Sequence, residues 1–170
     1  MPASIPTPAS TPMPLAPALA TWEDLAATDP ALAAVARSLL ERSGTGEGLL
    51  ASVRLDTPPR IHPVNVAIVD GRLVTVVLAG SAKAVDLLVD GRYALHAHQD
   101  PAAPHELLLR GRAIRVTDPA ERARLVARWA FEVPADAHVL DLRIEQALLG
   151  ERADPDAWPP AYRSVRPMPR

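Results

Sequence analysis

The sequence predicts a mainly β domain with a few helices (α+β), folded as a small barrel of about six antiparallel strands. The clearest evidence is a pair of β-rich runs, residues 60–69 and 72–79, which only Asp70-Gly71 separates. That dipeptide favours the left-handed backbone conformations of a two-residue hairpin turn. The strand-like runs do not alternate regularly with helices, so the sequence lacks the pattern of a parallel α/β sheet.

Both faces of this hairpin are largely apolar, which is the second observation. Alternate residues of a strand point to opposite faces of the sheet. The apolar residues are Val64, Val66 and Ile68 on one face and Ile61, Ala67 and Val69 on the other. Because a sheet in a small protein normally leaves one face to water, we expect a barrel interior on one side and a second copy of the chain on the other.

Local signals predict the remaining strands and helices. Four more strands are expected over residues 49–55, 92–98, 105–117 and 138–145. Thr21 and Asp24 predict a capping box for a short helix from Trp22, and Asp29-Pro30 begins a second helix that Gly44 ends. Ser81 caps a third helix over residues 82–89. Asp118-Pro119 begins a fourth, with Leu125, Val126 and Trp129 facing inward.

The length and composition predict one folded domain with a short extension at each end. Residues 1–20 contain six prolines and no charged side chain, which favours a disordered arm and not a signal peptide. Residues 21–150 form the folded body, and the proline-rich residues 151–170 are expected to be irregular. No run of about 18 apolar residues predicts a membrane span.

The composition also excludes several classes of function. The chain has no cysteine, which excludes disulfides and thiolate chemistry and favours the cytoplasm. A net charge of −2 with no basic block, together with 4% aromatic residues, gives no basis for nucleic-acid binding. We therefore expect a soluble cytoplasmic protein.

A candidate anion site lies where the hairpin meets the third helix. Ser81 and Lys83 fall at the start of that helix, where unpaired N–H groups and the helix dipole favour a phosphate. A lysine there otherwise opposes the dipole. The alternative is a serine cap beside a solvated lysine. Arg60, at the beginning of the hairpin, either reaches the same anion or is solvated.

The ordered set of these segments resembles the pyridoxamine 5′-phosphate oxidase-like superfamily of FMN-binding split β-barrels. The resemblance covers roughly residues 32–144. It rests on the segments P-R-I-H-P-V, the D-G hairpin, G-S-A-K-A-V-D-L-L, G-R-Y-A-L-H and E-L-L-L-R-G-R-A, in that order.

The resemblance implies an oxidoreductase that uses FMN and acts on a small molecule. It implies that Ser81 and Lys83 hold the FMN phosphate with help from Arg60. It places Glu106 near the flavin, where the family has a glutamine. It also implies a homodimer with the cofactor at the subunit interface. The backbone positions that it places against the flavin ring are Ile61, His62, Pro63, Val64, Val76 and Val77, and the His62 side chain is a candidate to contact the ring or a substrate.

Three departures from the family pattern argue against oxidation of pyridoxamine phosphate itself. Ala82 stands where those oxidases have an arginine, Val77 stands where they have a hydroxyl, and residues 153–170 lack their substrate-binding arginine motif. The second hypothesis is a non-enzymatic dimer that binds a flavin, a deazaflavin or haem, or that has lost its ligand.

The histidines and two carboxylates complete the candidate residues. His96 and His98 share one strand face, and His105 lies on the next strand, so these three are either a metal site or solvated side chains at a strand end. We assign no metal site. Asp86 and Glu121 are interpreted as a helix surface charge and part of a helix cap.

Overall fold

The computed structural model describes residues 19–54, 57–102 and 104–170. Residues 1–18 of the predicted arm lie outside the described residues. The helices are α1 (Trp22–Thr28), α2 (Pro30–Leu40), α3 (Ala82–Val89) and α4 (Pro119–Val126). The strands are β1 (Gly46–Ser52), β2 (Arg60–Val69), β3 (Arg72–Val77), β4 (Arg92–Ala97), β5 (Glu106–Arg115), β6 (His138–Glu151) and β7 (Ala161–Val165).

Six antiparallel strands close into a barrel, as the sequence predicts. They follow the order β3-β2-β1-β4-β5-β6, and pairing between β3 and β6 closes the ring. The Asp70-Gly71 hairpin joins β2 to β3, with φ values of 48° and 73° at its two turn residues. Both values are left-handed, which is the requirement of the turn type predicted from this dipeptide.

The barrel interior is filled by aliphatic side chains from every one of its six strands. The fully buried leucines of this core include Leu50, Leu73, Leu95, Leu107, Leu109, Leu140 and Leu142. Helix α3 packs Ala84 and Leu87 into the same core. No helix among the described residues is long and apolar enough to cross a membrane.

The predicted helix starts are confirmed by their caps. Thr21 and Asp24 form a reciprocal capping box on α1, and the Asp29 side chain accepts a hydrogen bond from the Leu32 amide at the start of α2. The Asp118 side chain accepts from the Glu121 amide at 2.7 Å, which begins α4. Each cap satisfies an amide that the first helical turn leaves without a partner.

A second apolar cluster corrects the interpretation of the hairpin's outer face. Val69 is buried there, outside the barrel, against Leu125 of α4, and Ala67 and Trp129 pack at the edge of the same cluster. Part of the apolar outer face is therefore covered by the chain's own fourth helix. Ile61, at the other end of β2, is 70% exposed. The described part of the chain leaves this end of the face uncovered.

The C-terminal segment is not irregular throughout, which corrects the expectation for residues 151–170. β6 runs to Glu151, and β7 pairs with its second half from Ala147↔Val165 to Glu151↔Ala161. The strand was not predicted because the five residues of β7 lie between proline-rich turns. Ala20 was also assigned to the arm, yet it is fully buried and forms a β-bridge with Ile144.

Truncation tests the contribution of β7. Removing residues 153–170 should lower the free energy of unfolding by about 2–4 kcal/mol, because about four strand hydrogen bonds are lost. That corresponds to a fall in Tm of roughly 5–15 °C for a chain of this size. Removing only residues 167–170 keeps β7 and should cost less than half as much. Equal melting curves for all three proteins would show that β7 contributes nothing.

Candidate functional site

The first half of β2 has an open edge, and the candidate site is built along it. β2 pairs with β1 from Arg60 to Val66, but its pairing with β3 begins only at Val66↔Thr75. β3 ends at Val77, and its other edge pairs with β6 from Val74 to Val77. Residues 60–65 of β2 thus have a strand neighbour on one side only.

Side chains of neighbouring elements cover two carbonyl groups on this open edge. The Thr75 hydroxyl donates to the Asn65 carbonyl at 2.7 Å. The Lys83 ammonium lies 3.3 Å from the Pro63 carbonyl oxygen. Lys83 therefore reaches from the first turn of α3 to the edge of β2. The structure thus brings together two of the predicted site residues, Lys83 and Pro63.

Ser81 begins α3 as a normal N-cap. Its hydroxyl oxygen accepts a hydrogen bond from the Ala84 amide at 3.3 Å, and its hydroxyl hydrogen is donated to the Leu78 carbonyl at 2.8 Å. The amides of Ala82 and Lys83 lie in the first turn, where helix geometry provides no internal acceptor. These two amides, more than the Ser81 hydroxyl, are the groups that the helix start offers to an anion.

Asp86 is a buried ion-pair partner, which corrects its interpretation as a surface charge. Its side chain is 1% exposed. Both carboxylate oxygens accept from the Arg60 guanidinium, at 3.0 and 2.9 Å, and one accepts from the Ser52 hydroxyl at 3.0 Å. Arg54 adds a second cation at 3.7 Å. Asp86 thereby ties α3 to the ends of both β1 and β2.

The surroundings of Asp86 keep it ionised. Burial acts to raise the pKa of this carboxyl, but the hydrogen bonds from Arg60 and Ser52 and the charges of Arg60 and Arg54 outweigh burial. The pKa of Asp86 therefore lies below its usual range. Arg54 and Arg60 pair with this carboxylate, and Lys83 joins Asp86 and Arg60 among the charges that act on His62, so these four charged side chains sum to about +2. We call these four residues, with the amides of the α3 start, the cationic corner.

Lys83 is the only lysine in the sequence, and the other basic residues are arginines. A lysine ammonium is a compact, strongly hydrated charge, whereas a guanidinium is a planar fork. The one residue with a compact charge stands at the open strand edge. This compositional signal was visible in the sequence and would have strengthened the assignment of Lys83.

His62 lies near these charges, and its surroundings disfavour the protonated imidazole. Its Nε2 atom is buried and has no hydrogen-bond partner among the described residues. Burial, followed by the positive charges of Lys83 and Arg60, lowers its pKa, although Asp86 opposes the shift. Neutral imidazole avoids adding a further charge to the corner.

Several other predicted site residues lie away from the open edge of β2. Val64 and Val77 are buried in the barrel core, and Val76 packs against the second apolar cluster, so their side chains face away from the open edge. Glu106 lies at the start of β5, where it accepts from the Tyr162 hydroxyl at 2.7 Å and pairs with Arg152 at 3.6 Å. The structure does not bring Glu106 into the cationic corner. Its charge is offset by Arg152.

Two of the three histidines considered for a metal contact different backbone groups. The His96 ring contacts the Ala97 carbonyl, and the His105 ring accepts from the Arg152 amide. Within residues 19–54, 57–102 and 104–170, no group of three or more His, Cys, Asp or Glu side chains is placed to hold a metal ion.

Ser52, Arg54 and Asp86 were missed as members of the site. Asp86 belongs to the face of α3 that also carries Ala84 and Leu87, and an acidic residue on an apolar helix face is a recognisable signal of a buried partner. Nothing in the sequence pairs it with Arg60, because the two are 26 positions apart.

Comparisons with known proteins support the fold. No protein-family model and no curated protein matches the sequence. Among solved structures, a heme binding protein from Mycobacterium smegmatis is 20% identical with a TM-score of 0.56, covering 76% of this chain and 56% of that one. This chain thus spans little more than half the length of that relative.

Two other solved structures share the fold over most of their length. A Clostridium acetobutylicum protein of the pyridoxinephosphate oxidase family is 14% identical with a TM-score of 0.59, covering 78% of this chain and 92% of that one. An FAD binding protein from Mycobacterium smegmatis is 16% identical with a TM-score of 0.50, covering 71% and 85%. The chain has the split-barrel fold of the pyridoxamine 5′-phosphate oxidase-like superfamily, as its sequence resemblance predicts.

Replacement of Asp86 by asparagine tests the anchoring of α3. At neutral pH, Asp86→Asn should lower the free energy of unfolding by about 2–3 kcal/mol, because charge-assisted hydrogen bonds to a buried group are lost. The folded-state pKa of Asp86 is lowered, so this stability is present above the ordinary carboxyl pKa of 3.8 and disappears as pH falls further.

Chemical denaturation of both proteins between pH 7 and pH 3 measures this difference. The gap between them should shrink below about pH 4. Asp136→Asn, at an exposed aspartate, is the matched control and should stay within about 0.5 kcal/mol of the wild type. A gap that does not change with pH would contradict an ionised, buried Asp86.

Proposed function

We propose that the cationic corner binds the phosphate of FMN and that the protein is a flavin-dependent oxidoreductase acting on a small molecule. The observation that carries the proposal is the placement of the only lysine, at the start of a helix and 3.3 Å from the open edge of β2. A helix start, a compact cation and a net positive charge together favour a phosphate dianion.

Arg60 contributes to this corner although Asp86 holds it. Among the described residues, Arg60 donates hydrogen bonds through Nη1 alone. A guanidinium has five N–H donors, so further donors are left for an anion. Asp86 fixes the direction of this side chain, which lowers the entropy that Arg60 would lose on binding.

The fold of the relatives supports a flavin in this barrel. One solved structure of the same fold is an FAD binding protein and another belongs to the pyridoxinephosphate oxidase family. A bound flavin would supply hydride or electron transfer, and the share of this chain would be to bind and orient it. Lys83 and the α3 amides would hold the phosphate, and the open edge of β2 would face the ring system.

We further propose a homodimer with the cofactor between the subunits. The outer face of β1 and β2 exposes Leu49, Ile61 and Pro63 beside the corner. Exposed aliphatic side chains on α3 and just before it extend this apolar surface, and they are Leu78, Val85, Leu88 and Val89. A second copy would bury this surface and close the open side of the site.

A second candidate function is binding of haem or a deazaflavin without catalysis. The observation in its favour is the shared fold of the heme binding protein from Mycobacterium smegmatis. The visible spectrum of the purified protein separates the two candidates, because flavin and haem absorb differently. Reduction of the bound cofactor by NADH or NADPH then distinguishes an enzyme from a carrier.

The affinity ratio of FMN to riboflavin tests the phosphate site. The wild type should bind FMN much more tightly than riboflavin, which lacks the phosphate. Lys83→Ala should weaken FMN binding by roughly ten- to a hundredfold, since one charge-assisted bond is worth about 1.5–3 kcal/mol, and should leave riboflavin binding nearly unchanged. Lys83→Arg retains the charge and should recover part of the loss.

The single lysine also allows a direct readout. Reductive methylation with ¹³C-formaldehyde labels Lys83 and the terminal amine alone, so FMN should shift one ε-amine signal in an NMR titration and riboflavin should shift it far less. Arg60→Ala is a poor alternative to Lys83→Ala as a test of phosphate binding. It leaves the buried Asp86 without its main ion-pair partner. A wild-type FMN-to-riboflavin ratio near one would leave the corner as a helix cap only.

The oligomeric state tests the proposed dimer. Sedimentation at micromolar concentration should give twice the chain mass of 18.2 kDa. Ile61→Glu should shift the protein toward the monomer and weaken FMN binding, because it places a charge in the apolar surface. Ile114→Glu, at an isoleucine that is 45% exposed near the end of β5, should do neither. A wild-type monomer would exclude the interfacial site.

A further inference from the structure

A cavity of about 460 Å³ lies away from the cationic corner. It is formed by β4, β5 and β6 together with the residues that follow β7. The lining residues that matter are Arg92, Tyr93, Arg110, Glu145, Arg166 and Met168. Neither Lys83 nor Arg60 contributes to it.

The three arginines that line this cavity differ in whether a carboxylate pairs with them. Arg92 is paired with Asp90 through Nε and Nη2, with nitrogen–oxygen distances of 2.5 and 2.7 Å. Arg110 donates to the uncharged amide of Gln146. Among the described residues, no carboxylate oxygen lies within 4.0 Å of a guanidinium nitrogen of Arg110 or Arg166.

The one acidic residue of the lining does not cancel these charges. Glu145 is paired with Arg112, 3.6 Å away, and Arg112 is not among the lining residues. The cavity therefore presents two guanidinium groups without acidic partners. Each of these groups keeps N–H donors that an anion can accept from.

Part of the rest of the wall is apolar, and it includes Tyr93, Pro167 and Met168. Tyr93 is buried to 5% exposure and forms part of the floor, and its hydroxyl donates to the Arg143 carbonyl, so it presents its ring. Met168 is 70% exposed at the rim, beside the buried Pro167. Apolar surface next to two guanidiniums matches a molecule that has an acidic group on an apolar body.

We propose that this cavity is a second binding site, for a small organic carboxylate whose acidic group is held by Arg110 and Arg166. Guanidinium and carboxylate match in planar, two-point geometry, which favours arginine over lysine for this role. The apolar part of the ligand lies against Tyr93 and Met168. None of the lining residues belongs to the cationic corner.

Titration calorimetry with benzoate tests the site, with benzamide as the uncharged analogue. Benzoate should bind at least tenfold more tightly than benzamide. Arg110→Gln and Arg166→Gln should each weaken benzoate binding by about tenfold, which corresponds to about 1.4 kcal/mol. Both arginines are exposed, and circular dichroism should show folded variants with an unchanged Tm.

Three controls make the result specific. Arg115→Gln changes an exposed arginine of the same strand outside the cavity and should bind benzoate as the wild type does. Lys83→Ala should also leave benzoate binding unchanged. Inorganic phosphate, which has no apolar body, should compete at least tenfold less well. Equal affinity for benzoate and benzamide, equal competition by phosphate, or benzoate binding unaffected by Arg110→Gln would each overturn the proposal.

Discussion

The point at which β3 leaves β2 determines the rest of the molecule. A strand has two edges, and β3 uses one for β2 and the other for β6, which closes the barrel. The pairing of β3 with β2 stops at Thr75 and β3 itself ends at Val77, so residues 60–65 of β2 have no strand neighbour on this side among the described residues. The barrel therefore closes while this part of the β2 edge stays open. Unpaired strand groups need other partners, and Thr75 and Lys83 reach two of the carbonyls there.

Helix α3 can remain beside this edge because a buried charge holds it. Asp86 joins Ser52 of β1, Arg60 of β2 and its own helix in one set of hydrogen bonds. A buried carboxylate is costly unless it is paired, and here the pairing partners come from the two strands that border the opening. The same contacts orient Arg60 and leave a local excess of positive charge in a chain whose net charge is −2.

The sequence predicts most of the barrel, because its signals are local. Asp70-Gly71, the Asp-Pro helix starts and the alternating runs each depend on a few adjacent residues, and the structure confirms them. β7 was missed because its five residues lie between proline-rich turns, and the Ala20 bridge was missed because its partner, Ile144, is far away in the sequence. Asp86 was misread for the same reason. Its burial depends on Arg60, and nothing local distinguishes a surface aspartate from a paired one.

The outer face of the hairpin shows that an apolar pattern predicts coverage but does not identify the covering element. Alternation predicted that both faces of β2 are covered, but it could not say by what. Val69 is covered by α4 of the same chain, while Ile61 is left exposed beside the cationic corner. An apolar surface bordering a set of unneutralised cations would be stabilised most by an occupant that supplies both apolar contact and negative charge. A second subunit alone would supply only the apolar contact. The proposed phosphorylated cofactor, held between two subunits, would bring negative charge as well as apolar contact.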